Sequence, residues 1–114
     1  MVEIKTQVEG DIALIIIDGD IDASSSIQLD ESLNQQLENK QVNIIIDCAD
    51  LNYISSAGLG VFMSYIEEFS ATKQKFVLYG LSDKVKSVFE MLGLDQLMNI
   101  VPTKSDALTF LNEE

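Results

Sequence analysis

"IIIDCADLNYISSAGLGVF", residues 44–62, joins two kinds of sequence without a break. It opens on three isoleucines, the composition of a strand inside a sheet. It closes on two serines and two glycines among apolar residues, too glycine-rich for an ordinary helix and too apolar for a surface loop. With Val42 and Asn43 in front, "VNIIID" (42–47) predicts a buried strand. Further on, Leu59, Phe62, Met63, Ile66 and Phe69 follow the i, i+3, i+4, i+7 rule and predict a helix over about 56–71. A buried strand running into a helix is the unit of a parallel sheet.

The same unit recurs on both sides. "IALIII" (12–17) reads as a strand buried on both faces, and "SSSIQLDESLNQQLENK" (24–40) carries Leu29, Leu33 and Leu37 at helical spacing. Ser25 with Gln28 fits a capping box that opens this helix. "KFVLYG" (75–80) is a third buried strand, followed from Ser82 by a helix marked by Val85, Val88, Phe89 and Leu92 and stopped by Gly93. "LMNIV" (97–101) predicts a short edge strand, and Thr103 with Asp106 predicts a second capping box for a last helix through Leu111. Ahead of all this, "VEIKTQVEG" alternates, with Val2, Ile4, Thr6 and Val8 on one half-buried side. A turn at Gly10 and Asp11 then makes an antiparallel hairpin.

The fold class is therefore α/β: a mostly parallel central sheet with an antiparallel N-terminal hairpin and about four helices, in one domain over 1–114. In such sheets ligands and partners meet the carboxyl ends of the strands. The segments expected there are "DGDIDASSS" (18–26), "CADLNYISSAG" (48–58) and "GLSD" (80–83), all read as loops.

Composition narrows the function. The 114 residues include 19 Asp and Glu against 7 Lys, no histidine and no arginine, for a net charge of -12. That opposes nucleic acid or anionic lipid as a partner, since both are held by clustered cations. An acidic surface serves solubility, or steers the chain toward a basic protein. No apolar run has the length of a membrane span, the N-terminus lacks a signal peptide's pattern, and the single Cys48 has no internal disulfide partner, so a cytoplasmic location is expected.

Without histidine there is no Ser-His-Asp triad and no His-based metal site. "ISSAG" is not the G-x-S-x-G elbow, and no phosphate-binding loop is present. Asp18, Asp20 and Asp22 start like an EF-hand loop, but Ala23 and Leu29 stand where it needs Gly and Glu. Asp47, ending a strand, resembles the phosphoacceptor of a receiver domain, but the initial hairpin and the place of Pro102 do not fit one. No enzyme activity, metal or cofactor is expected.

Chemistry then rests on the serines. A helix starting near 56 makes Ser55 its N-cap and leaves Ser56 on the exposed first position. One of Gly58 and Gly60 is explained by close packing on the sheet; two suggest a surface kept flat for something else. A phosphate on Ser56 suits the positive helix end, and its charge, added to Asp22 and Asp47, would repel a partner covering that surface. Two readings stay open on the residues alone: a switch, or an incidental hydroxyl.

The sequence resembles a STAS domain, in particular the stand-alone bacterial anti-sigma factor antagonists. The likeness covers essentially the whole chain and rests on the hairpin, "GDIDASSS", "IIIDCADLNYISSAGLGVF" and "FVLYGLSDKVKSVFEMLGL" (76–94). It implies a STAS fold without catalysis. It also implies an anti-sigma factor with serine kinase activity as partner, and a PP2C-type phosphatase that reverses the kinase. The unphosphorylated antagonist binds the anti-sigma factor and frees a sigma factor; phosphorylation ends the binding.

By position the acceptor matches Ser56 and the acidic residue after the second strand matches Asp22. Ser55 stands where the family often has Asp, and Ala57 where it often has Ser or Thr. The resulting expected contact set is Asp20, Asp22, Ser24, Ser25, Ser55, Ala57, Gly58, Leu59, Gly60, Phe62, Leu81 and Ser82. Some relatives bind nucleotide; here the acidic edge predicts weak affinity for a triphosphate. The other reading is a STAS subunit of a larger signalling or transport assembly, recruited through the same surface and not regulated by phosphorylation.

Overall fold

The computed structural model describes residues 2–40 and 42–113. Strand β1 (Val2–Glu9) turns back through Gly10 and Asp11 into β2 (Ile12–Ile21). Then come α1 (Ser26–Glu38), β3 (Asn43–Ile54), α2 (Ser56–Thr72), β4 (Phe76–Tyr79) and α3 (Asp83–Met91). A single 3-10 turn (Leu94–Gln96), β5 (Asn99–Val101) and α4 (Lys104–Asn112) complete the chain. The order in the sheet is β1-β2-β3-β4-β5, with β1 antiparallel to β2 and every other pairing parallel. This is the α/β arrangement expected, hairpin and four helices included.

The order has a consequence for layering. From β2 to β5 the chain steps in one direction, and right-handed crossovers taken in one direction lay their helices on one face. Accordingly, one continuous core joins Leu29 and Leu33 of α1, Leu59, Phe62, Tyr65 and Phe69 of α2, and Val85 and Phe89 of α3 to Ile15, Ile17, Ile44 and Ile46 of the sheet. Phe62 sits among Phe76 and Phe89, at centroid distances of 6.1 and 6.0 Å. Only α4 crosses to the other face, where Ala107 and Leu111 cover Ile45 and Val77.

One helix cannot cover five strands. The expectation that Ile12–Ile17 is buried on both faces fails for that reason. Ala13, Ile15 and Ile17 are buried, but Ile12, Leu14 and Ile16 are half-buried, because α4 lies over β3, β4 and β5. In β1, Val2 and Ile4 are half-buried as expected, while Thr6 and Val8 are exposed. Two helical positions expected on apolar faces, Met63 and Leu92, are 48% and 57% exposed, and Tyr65 takes the buried place on α2.

Local signals set most boundaries. Ser82 Oγ accepts from the Val85 N–H, and Thr103 Oγ1 from the Asp106 N–H, capping α3 and α4. The second box closes differently from the expected form: the Asp106 carboxylate accepts from the Thr103 hydroxyl rather than from its backbone. Gly93 adopts φ 72° just past α3, the left-handed conformation that ends a helix. Gln74 is a buried tie the sequence did not announce. Its Nε2 donates to the carbonyls of Gln36 (2.8 Å), Asn39 (3.1 Å) and Val42 (2.8 Å), joining the end of α1 to the start of β3.

Candidate functional site

β2 and β3 are longer than their isoleucine runs. β4 stops at Tyr79, opposite Asp47, but β2 and β3 continue together as a parallel ribbon, with β1 still alongside β2 as far as Gly19. Asp18 pairs with Asp50, Gly19 with Leu51, Asp20 with Tyr53 and Ile21 with Ile54. Two register shifts, between Ile16 and Asp18 and between Gly19 and Asp20, each place one extra residue on β3. Such bulges re-aim side chains. Here they keep Leu51 and Ile54 on the core side after Ile46 and Cys48 have used the ordinary alternation. So "DGDI" and "CADLNYI", expected as loops, are strand. The signal present in the sequence was the three-residue spacing of Cys48, Leu51 and Ile54.

The ribbon ends where α2 begins. The Ser55 N–H donates to the Ile21 carbonyl at 2.8 Å, so the last strand bond holds the cap residue itself. Ser55 is extended (φ -81°, ψ 169°), and its Oγ accepts from the Gly58 N–H at 3.2 Å. That is the expected N-cap. Ser56 is exposed at the first helical position, and among the described residues no hydrogen bond occupies its hydroxyl.

The two glycines separate cleanly. A Cβ on Gly58 would lie 2.6 Å from Ile21 Cγ2 and 2.8 Å from Ile54 Cγ1, both fixed in the core. Gly58 lets α2 touch the end of the ribbon. Gly60 is exposed, with nothing within 4 Å of such a Cβ. Gly58→Ala is therefore expected to lower stability by about 1–2 kcal/mol, overpacking outweighing the gain in helix propensity. Gly60→Ala should raise it by about 1 kcal/mol. Urea unfolding of the two variants checks the pair, and shifts of the same sign would contradict it.

Across from α2, the start of α1 is built on Asp22 rather than Ser25. Ser25 has helical angles and caps nothing. Instead Asp22 Oδ1 accepts from the Ser25 N–H at 2.8 Å, while Ser25 Oγ accepts from the Asp22 N–H at 2.8 Å. The reciprocal box exists, three residues earlier than the Ser25–Gln28 reading. The hydroxyls of Ser24 and Ser25 also donate to Asp22 Oδ1, at 2.8 and 2.9 Å.

These bonds, the Ser25 backbone first, pull the Asp22 carboxyl down to about 2 from an ordinary 3.8. A lowered value in the fold contributes stability that is complete above pH 3.8 and is lost as pH falls through about 2. Asp22→Asn keeps the oxygen and drops the charge. Its melting temperature should lie below wild type at neutral pH, and the gap should close between about pH 4 and pH 2. A gap that stays constant over that range would show the charge plays no part.

The expected contact residues divide. Asp20, Asp22, Ser24, Ala57 and Gly60 are exposed and Ser55 is half-buried, at the end of the ribbon or in the first turns beside it, where the Ser55 N–H meets the Ile21 carbonyl. Phe62, Leu59 and Gly58 are core residues, at 0% and 3% exposure for the first two, because the apolar face of α2 points at the sheet. Ser25 is spent in the Asp22 box and is buried.

Leu81 and Ser82 lie elsewhere. Gly80 packs on Ala49, five residues short of Ile54, or about 16 Å of strand. Leu81 lines a groove with Asp83, Lys86, Ile100 and Pro102 instead. Asp47, expected at the same edge as Ser56, sits at the level of Tyr79 for the same reason. Three residues the sequence reading missed stand exposed on the elements that carry the tip: Ile27 at 62%, Tyr53 at 48% and Met63 at 48%.

Among the described residues no group of His, Cys, Asp and Glu could hold a metal ion, and no helix is long and apolar enough to cross a membrane. Burial, then Asp47, pushes the Cys48 thiol far above its ordinary range, so it is inert.

The geometry is an exposed serine at a helix start, carried on an acidic ribbon, and the fold that carries it is shared by known proteins. An anti-sigma-B factor antagonist of Listeria monocytogenes is 31% identical over 99 residues, 87% of this chain and 86% of the relative. An anti-sigma factor antagonist from Mycobacterium paratuberculosis superposes with a TM-score of 0.90 at 18% identity, covering 99% of this chain and 96% of that one. The Bacillus cell fate determinant SpoIIAA in its phosphorylated form superposes with a TM-score of 0.72 at 20% identity, covering 98% and 100%. The STAS domain model matches residues 3–107, and the chain belongs to the STAS domain family.

Proposed function

We propose that this chain is an anti-sigma factor antagonist whose binding is switched off by phosphorylation of Ser56. One observation carries the reading: of two adjacent serines, one hydroxyl is committed to capping α2 and the other is free, exposed and at the positive end of that helix. The name of the Listeria relative supports the partner class, and the phosphorylated form of SpoIIAA supports the modification.

The partner is an anti-sigma factor that is also the serine kinase, and a PP2C-type phosphatase restores the unmodified state. The chain acts as one non-catalytic unit in the cytoplasm, without nucleotide or metal. The contact surface is Asp20, Asp22, Ser24, Ser55, Ala57 and Gly60, with Ile27, Tyr53 and Met63 supplying apolar area. Phosphate on Ser56 adds about -1.5 to -2 charges beside Asp20 and Asp22, with no lysine in the set to offset them.

The test is to incubate the protein with candidate anti-sigma kinases and ATP and to map the phosphate by mass spectrometry. Ser56 is the expected site. Phosphate on Ser55 or on Ser24 to Ser26 overturns the assignment. If the protein neither binds any candidate anti-sigma factor nor is phosphorylated by any candidate kinase, the assembly subunit is the correct reading.

A further inference from the structure

The sheet has two edges, and they differ. β5 offers three residues, whereas β1 offers eight, Val2–Glu9, along a strand whose outer side has no neighbour in the sheet. The two-residue turn makes Glu9 and Ile12 the closing bonded pair of the hairpin. By alternation Glu3, Lys5, Gln7 and Glu9 exchange bonds with β2, and the amides of Val2, Ile4, Thr6 and Val8 point outward. Thr6 and Val8 are exposed, Val8 at 50%, and on the opposite face α4 packs on Ile12 and Leu14 of β2 and only borders β1, its Lys104 and Leu108 lining a groove with Gln7 and Glu9.

Charged edges usually prevent pairing. The signs on β1 alternate, however, and their order decides which pairings are allowed. In an antiparallel pair about a twofold axis, residues of the same face stand opposite each other. Centring on Lys5 would oppose two lysines, and centring on Thr6 would oppose Glu3 to Glu9 twice. Centring on Ile4 sets Glu3 against Lys5 twice, and centring on Gln7 sets Lys5 against Glu9 twice. In the isolated chain Lys5 already reaches along its own strand to Glu3, at 3.0 Å, with both side chains about two-thirds exposed.

We infer that β1 is a self-association edge: it adds antiparallel to β1 of a second copy of this chain, with Lys5 facing a glutamate of that copy. The two sheets then become one sheet of ten strands, built by strand addition. About the Gln7 axis the second copy extends past the turn end of β1, away from the ribbon tip that carries Ser56; about the Ile4 axis its Gln7, Val8 and Glu9 run past Val2 to the level of Asp20, Ile21 and Asp22.

Sedimentation equilibrium of the full chain over a concentration series tests this. A monomer–dimer equilibrium is expected below about 1 mM. Lys5→Glu should weaken it about 10- to 30-fold, since two attractive pairs become repulsive. The double variant E3K/E9K should weaken it likewise, and mixing the two variants should restore a heterodimer. Thr6→Pro removes an outward amide that the hairpin does not use, so it should fold and stay monomeric. Under mild oxidation, I4C cross-links if the axis passes through Ile4 and Q7C if it passes through Gln7. Three results overturn the inference: a wild type that is monomeric to about 1 mM, a dimer indifferent to both K5E and T6P, or cross-linking by neither cysteine variant.

Discussion

Ser56→Asp is expected to bind the anti-sigma factor at least about 30-fold more weakly than wild type while melting at the same temperature or higher. The two effects come from different surroundings of one charge. In the free protein the carboxylate sits at the first position of α2, where the helix dipole favours it by roughly 0.3–1 kcal/mol. In the complex it is covered, close to Asp20 and Asp22, and an unpaired charge in an interface costs about 2–5 kcal/mol. Ser56→Ala removes an exposed hydroxyl that caps nothing, so its stability should stay within about ±0.5 kcal/mol. It should bind the partner and resist the kinase. Titration calorimetry beside thermal melts reads both quantities. If Ser56→Asp bound as tightly as wild type, and kinase treatment of wild type also left affinity unchanged, Ser56 would lie outside the interface.

Phe62→Ala should cost about 3–5 kcal/mol of stability, the largest change expected from any single substitution considered. Phe62 is fully buried, and its ring meets those of Phe76 and Phe89, bringing together α2, β4 and α3. Truncation removes those contacts and leaves a cavity that three elements cannot all close. The chain has 114 residues, and a typical domain holds only about 5–15 kcal/mol in reserve. The variant should therefore lose binding only in proportion to the unfolded fraction. Urea unfolding gives the stability, and binding at low temperature, where the variant is still folded, separates the two roles. A stable Phe62→Ala with lost affinity would put Phe62 in the contact surface after all.

The case of Phe62 shows where a sequence reading of α2 goes astray. The motif "SSAGLGVF" reads as one surface because its residues are consecutive, but a helix turns. Ser56, Ala57 and Gly60 point outward; Gly58, Leu59 and Phe62 point at the sheet. The helical spacing that placed Leu59 and Phe62 on the apolar face already contained this answer, because a residue on that face is spent in the core. Met63, on its margin, is the one left half exposed.

Local signals were enough for several features, because each depends on neighbours within four residues. The caps at Ser55, Ser82 and Thr103 and the left-handed stop at Gly93 are of this kind. So are the hairpin, closed by a two-residue turn, and the alternation of buried strand with amphipathic helix that made the fold α/β. The exposure of Ser56 followed from one of those caps.

Tertiary structure decided the rest, because the deciding contacts lie far apart in the chain. The capping box of α1 moved from Ser25 to Asp22 because β2 runs on to Ile21, leaving Asp22 as the first residue free to turn. β2 runs on because β3 does, and β3 does because two bulges return Leu51 and Ile54 to a core that the alternation had lost. A register shift is a property of two paired strands, and neither strand carries it alone. The length of that ribbon beyond β4 then separated Asp47, which lies inside β3, and the loop of Leu81 and Ser82 from the level of Ser56, although the sequence put all of them at the same edge. Gly58 was marked as a glycine by its sequence, but only the approach of Ile21 and Ile54 tells it from Gly60.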